Sequence, residues 1–322
     1  MTVGSSDERP IRVGISSCLL GQQVRYDGGH KRDSFLVDTF GAFVEWVPVC
    51  PEMECGLGAP RESMRLVRVG KEIHLVTVKT DVDLTDRMRR FAHKRVAQLA
   101  SEDLSGYVLK KDSPSCGVER IKVYDSHDVP TRSGRGVFAG ALIDALPHLP
   151  VEEEGRLSDP RLRENFVERV FAYWKLRGLF SGTWSAGALV RFHTAHKLTL
   201  LAHSPVAYQE LGRLVARLRA VSRAQMREQY TAAFMAALTV ISTPRRHTNV
   251  LQHMAGYFKD VLDSDSKAEL AASIDDYRQG LVPLVVPLTL IRHHVRTHDV
   301  TYLAGQAYLA PHPKELMLRN HV

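Results

Sequence analysis

Along the first half of the chain, short apolar runs of strand length alternate with a longer amphipathic stretch. Residues 11–16, 43–49, 73–78 and 106–109 are dense in Val, Ile, Phe and Leu and read as β-strands. Between the third and fourth, residues 84–101 carry Met88, Phe91, Ala92, Val96 and Leu99 at helical spacing, with Asp86 near the start, and predict an amphipathic helix. Strands interleaved with a helix predict an α/β unit with a largely parallel sheet. Past Asp159 the period changes. Residues 161–179, 186–202, 206–221, 223–238, 247–262 and 264–279 repeat apolar side chains every three or four positions, broken at Pro205, Pro244 and Gly280, which predicts an all-α bundle. Pro147, Pro150 and the acidic run Glu152, Glu153 and Glu154 separate the two regimes, so the expected domains are residues 1–150 and 151–322. A chain of 322 residues also exceeds what one hydrophobic core usually serves.

The longest nearly apolar stretch, residues 281–291, is broken by Pro283 and Pro287. It falls short of the roughly 20 residues that cross a bilayer, so no transmembrane helix is expected. Asp7, Glu8 and Arg9 stand where a secretory signal would be apolar, and the expected location is the cytoplasm. The 43 Lys and Arg exceed the 36 Asp and Glu, and the net charge of +7 favours anionic partners such as nucleotides or nucleic acid.

All four cysteines, Cys18, Cys50, Cys55 and Cys116, fall in the first 116 residues. In a reducing compartment that clustering points to a metal site or reactive thiols rather than a disulfide framework, with buried apolar cysteines as the plain alternative. Cys18 and Cys50 each follow a predicted strand, and Cys116 lies in a polar loop after the strand ending at Leu109. All three are therefore expected on the C-terminal rim of the sheet, where open α/β sheets bind ligands. The 31 and 65 residues between them exclude the tight Cys-x-x-Cys pairs of zinc ribbons and ferredoxins. Three thiolates suit a [4Fe–4S] cluster with one iron left open for substrate. No glycine-rich stretch has the spacing of a dinucleotide or P-loop motif, so neither NAD nor ATP is expected.

Four blocks sharpen this picture: Ser17-Cys18-Leu19-Leu20-Gly21; Arg25-Tyr26-Asp27-Gly28-Gly29; Cys50-Pro51-Glu52 with Gly56-Leu57 and Pro60-Arg61; and Lys111-Asp112-Ser113-Pro114-Ser115-Cys116-Gly117. In this order they resemble the signature blocks of the TudS-type thiouracil desulfidases. The second half, with Phe192-His193-Thr194-Ala195-His196-Lys197 and Leu201-Ala202-His203-Ser204, is similar to the YbgA-like helical domain often fused to that family.

The resemblance implies a [4Fe–4S] cluster on Cys18, Cys50 and Cys116, whose unligated iron takes the thiocarbonyl sulfur of a thiolated uracil while water replaces it on carbon. It makes Glu52 the acid/base residue, against the plain reading of a surface or helix-capping carboxylate. Ser113 becomes a substrate contact, against that of a turn residue before Pro114. His30 stands where the family often has a small polar residue at the substrate, and it could instead meet a nucleotide phosphate. Asp27 is either a second polar contact or a turn former. The partner implied is a small thiolated pyrimidine, with or without a phosphate, rather than tRNA.

Two other functions stay open at this point. A tRNA thiolase would use a similar three-cysteine cluster, but the chain lacks an ATP motif. A nucleic-acid or partner-binding protein could hold structural zinc, with Cys55 as fourth ligand. His193, His196 and His203, and likewise His293, His294 and His298, read as packed or polar-face side chains rather than as a second metal site.

Overall fold

The computed structural model describes residues 9–321; the N-terminal segment read above for a signal lies, apart from Arg9 and Pro10, outside them. No helix among the described residues is long and apolar enough to cross a membrane. Contacts divide the chain into two compact units, one ending at Ser158 and one beginning at Asp159.

The first unit runs β1 (Arg12–Ser16), β2 (Glu45–Val49), α1 (Pro51–Glu54), β3 (Met64–Val69), β4 (Glu72–Thr77), α2 (Thr85–Leu99), β5 (Leu104–Leu109), β6 (Ile121–Tyr124), β7 (Pro130–Gly134), α3 (Val137–Ala145) and β8 (Val151–Glu153). One sheet is wholly parallel, in the order β2-β1-β5-β8. Its two inner strands are the two most continuously buried: all six residues of β5 and the last four of β1 are buried, as expected of a strand covered on both faces. Gly14 is required within β1, because a Cβ there would lie 2.1 Å from the Tyr107 ring on β5. Helix α2 turns Met88, Ala92, Val96 and Leu99 inward, one side chain per turn. Because β8 pairs with β5 through Tyr107 and Val151, residues 151–153 belong to this sheet. The chain therefore leaves the first unit later than the division expected at residue 150.

A second sheet, β4-β3-β6-β7, is mixed: β3 pairs antiparallel with β4 and parallel with β6. Of its strands the apolar pattern announces only β4, at residues 73–78. Arg65 and Arg68 interrupt β3, and four of the five residues of β7 are exposed.

The second unit is helical: α4 (Pro160–Phe180), α5 (Ala186–His203), α6 (Pro205–Ala216), α7 (Arg223–Thr239), α8 (Pro244–Ala255), α9 (Ser264–Arg278) and α10 (Val285–Thr297). Six of these start at a cap. Asp159, Ser185, Ser204, Ser222, Thr243 and Asp263 each accept a hydrogen bond from a first-turn N–H. Pro287 sits in the first turn of α10, where its missing N–H has no intrahelical partner to lose. This is how the proline-broken stretch becomes helix from Val285 onward.

His193 and His196 are packed as expected. The Nδ1 of His193 is 3.1 Å from the Tyr230 hydroxyl, and that of His196 is 2.8 Å from the Phe192 carbonyl oxygen.

Candidate active site

The three cysteines follow three adjacent parallel strands. Cys18 lies in a 3-10 turn directly after β1, Cys50 between β2 and α1, and Cys116 in the loop after β5. Each chain end is fixed locally. The Cys18 carbonyl accepts from Gly21 and Lys31 N–H groups, and the Cys50 N–H donates to the Glu54 carboxylate at 3.0 Å. The Ser113 Oγ accepts from the Ser115 and Cys116 N–H groups at 3.2 and 3.1 Å.

The Cys116 loop is also held from behind, where the first turn of α3 donates to its carbonyls: Val137 to Pro114, and Phe138 and Ala139 to Ser115. Only glycine fits at position 136, since a Cβ would lie 2.5 Å from the Ser115 carbonyl oxygen.

Cys18, Cys50 and Cys116 line one cavity of about 440 Å³, together with Glu52 and Ser113. All three thiols are free. Burial pushes the Cys18 thiol up to about 11, with Cys50 adding to the rise, and raises Cys50 and Cys116 as well. Thiols so placed stay protonated until a nearby positive charge favours the thiolate, as a bound metal would.

Glu52 is clamped. Its carboxylate pairs with the Arg61 guanidinium, and both side chains are nearly buried, at 14% and 6% exposure. Arg61 also donates to the Val24 carbonyl at 3.0 Å and the Gly58 carbonyl at 2.6 Å, and so ties three segments of the cavity wall together. Pro60-Arg61 is visible in the sequence, but nothing there assigns it this role.

The acidic run at 152–154, read above as a boundary, braces the site instead. Glu154 pairs with the Lys110 ammonium and accepts from the Lys111 N–H, and Glu153 accepts from the Val118 N–H at 2.7 Å, two residues past Cys116.

The expected substrate contacts divide. Ser113 lines the cavity, whereas Asp27 and His30 stand on the exposed loop beside it. Asp27 pairs with Arg25 at 3.4 Å and accepts from the Gly29 N–H, as a turn former does; the His30 Nδ1 accepts from the Arg32 N–H. From that loop the cavity takes Arg25, Tyr26 and Lys31 instead. Cys55 ends α1 with its thiol donating to the Glu52 carbonyl at 3.4 Å, and packs on the core of the mixed sheet.

Among the described residues no three His, Cys, Asp or Glu side chains converge tightly enough to hold a single metal ion. A four-iron cluster makes a different demand, because each cysteine binds a separate iron and the thiols must stand apart around a common space. Three soft thiols lining one cavity, two buried and that of Cys50 half-buried, fit that demand, with no carboxylate pair or imidazole among the residues that would hold it.

The fold and this cavity define an α/β unit with a cysteine-lined site at the carboxyl edge of a parallel sheet. The family model of 2-thiouracil desulfurase matches residues 13–154, and that of a protein of unknown function, DUF1722, matches residues 197–313. The uncharacterized protein YbgA of Escherichia coli strain K12 is 36% identical over 161 residues, covering 50% of this chain and 95% of YbgA. The uncharacterized protein YbbK of Bacillus subtilis strain 168 is 33% identical over 111 residues, covering 32% of this chain and 71% of YbbK. A solved structure of the [4Fe-4S]-dependent thiouracil desulfidase TudS is similar at 31% identity over 46% of this chain and 93% of TudS, with a TM-score of 0.38. Residues 13–154 carry a 2-thiouracil desulfurase domain, and the chain is a relative of YbgA in which a YbgA-like helical domain is fused to it.

Proposed function

We propose that the first unit removes sulfur from a thiolated uracil, replacing C=S by C=O with water as the other substrate and hydrogen sulfide as the product. Oxidation states are unchanged overall. The observation that carries this reading is the single cavity in which three cysteines, a clamped glutamate and a serine meet, within the segment that matches the desulfurase family. Cys18, Cys50 and Cys116 would hold a [4Fe–4S] cluster, which supplies a soft Lewis acid suited to a thiocarbonyl sulfur.

The chain's own groups supply the rest. Glu52 takes a proton from the water that attacks the pyrimidine carbon and returns it as sulfur leaves. Arg61 pairs with that carboxylate and fixes its direction. The Ser113 Oγ already accepts two backbone hydrogen bonds, so its O–H is left to donate to an acceptor on the pyrimidine edge. Arg25, Lys31 and Lys111 line the same cavity and match a phosphate on the substrate.

The test is iron and acid-labile sulfide analysis of anaerobically purified protein, combined with sulfide release from 2- and 4-thiouracil, their nucleoside monophosphates and thiolated tRNA as separate arms. Iron-loaded protein that releases sulfide from none of them overturns the reading.

A further inference from the structure

The helical unit buries charge without an evident structural need. Glu164 and Glu168, one turn apart on α4, are 9% and 4% exposed, and Arg319 is 5% exposed. The Arg319 Nε donates to Glu164 at 3.0 Å, and His203 stands 3.3 Å from the Glu168 Oε2. Taking such groups from water is costly and is weak evidence for stability, so a ligand is the more economical explanation.

Glu164, Glu168 and His203 line a cavity of about 250 Å³. Two of its lining atoms are buried and lack any hydrogen-bond partner: Glu168 Oε1 and Ser242 Oγ. Glu168 Oε1 is 3.8 Å from Arg319 Nη2, beyond hydrogen-bond reach. Burial alone would raise the pKa of Glu168, but the His203 hydrogen bond and charge hold it below the carboxylate range.

The cavity is polarised. Acceptors from Glu164, Asn165 and Glu168 are buried at its floor, whereas Arg161 and Arg278, also lining it, are exposed. No three of its potential ligands converge on one point, so a hydrogen-bonding molecule suits it better than a bare cation.

We propose that this cavity is a second ligand site, for a small molecule that presents an N–H donor to Glu168 at one end and an anionic group to Arg161 at the other. The inference stands apart from the desulfurase reading, because it uses no residue of the first unit. Nucleoside monophosphates and α-amino acids share this chemistry.

Calorimetric titration of the full chain with guanosine 5′-monophosphate and, separately, with L-alanine distinguishes the two sources. One arm is expected to bind saturably, in about the micromolar to millimolar range. Glu168→Gln should weaken that binding by at least about tenfold, and Arg161→Gln by a smaller factor that shrinks at high salt. Absence of saturable binding in both arms overturns the proposal, as does binding that neither substitution changes. Should Glu168→Gln fail to fold, Arg161→Gln decides alone, because its side chain is exposed: unchanged affinity overturns the proposal.

Discussion

Replacing Arg61 by Met removes the guanidinium and keeps an apolar stem of similar reach. What remains is a carboxylate at Glu52 that is 14% exposed and has lost its counter-charge, plus two carbonyls, Val24 and Gly58, that have lost a donor. Breaking one side of a buried pair costs about 3–5 kcal/mol, and little of this returns from water in so enclosed a place. For a unit of this size, that corresponds to a fall in Tm of about 10 °C. Scanning calorimetry of Arg61→Met should show it, with lower iron content in the same preparations because Cys50 and Glu52 share one turn. In the double variant Arg61→Met with Glu52→Gln the stranded charge is gone, and about 2–3 kcal/mol should be recovered as coupling. A loss below about 1 kcal/mol for the single variant, or strictly additive losses in the double, would refute the clamp.

Alanine at Cys18, Cys50 or Cys116 should each abolish iron loading and sulfide release, whereas Cys55→Ala should keep both; visible absorption and iron analysis separate these outcomes. Glu52→Gln should retain iron but turn over about 10²- to 10⁴-fold more slowly, and normal turnover at every pH tested would remove Glu52 from the chemistry. Acid should weaken the helical unit. Burial lowers His193, His196 and His312 to about 4 and His247 to about 3, so between those values and about 6.5 the unfolded chain binds protons that the folded one refuses. Stability is full above that window and falls through it by about 1.4 kcal/mol per histidine per pH unit, partly offset by Glu164, which burial raises. A calorimetric transition that does not move down between pH 7 and pH 5 contradicts this. A chain ending at Ser158 should still bind iron and desulfurate a free thiolated base; iron loading without turnover, restored by adding residues 159–322, would assign the helical unit a share of the chemistry.

Much of the fold is legible because its signals are local. The helices from α4 to α9 announce themselves by period and cap, and the inner strands β1 and β5 by short runs of apolar residues. The mixed sheet stays half hidden: β4 reads as a strand, but Arg65 and Arg68 break the alternation of β3, and β7 carries no apolar run. In the site, the cysteines, Glu52 and Ser113 lie inside recognisable blocks. Arg61, Glu153 and Glu154 are different: their roles exist only through partners such as Glu52, Val118 and Lys110, distant in sequence, which local spacing cannot supply. The run at 152–154 shows the hazard, since a charge cluster beside prolines looks like a linker whether or not β8 pairs with β5.

Because Cys18, Cys50 and Cys116 are brought together only by the parallel order β2-β1-β5, the order of events during biogenesis follows from topology. Parallel pairing closes long loops and is slow: β1–β2 pairing brings Cys18 beside Cys50, and Cys116 joins them only once β5 pairs with β1. On the proposed function, iron would therefore bind a domain whose strands have already paired, unlike zinc in a finger, where the ligands are close in sequence and the metal itself drives folding. A cell short of iron would then hold the polypeptide folded and uncharged, ready to be loaded without resynthesis.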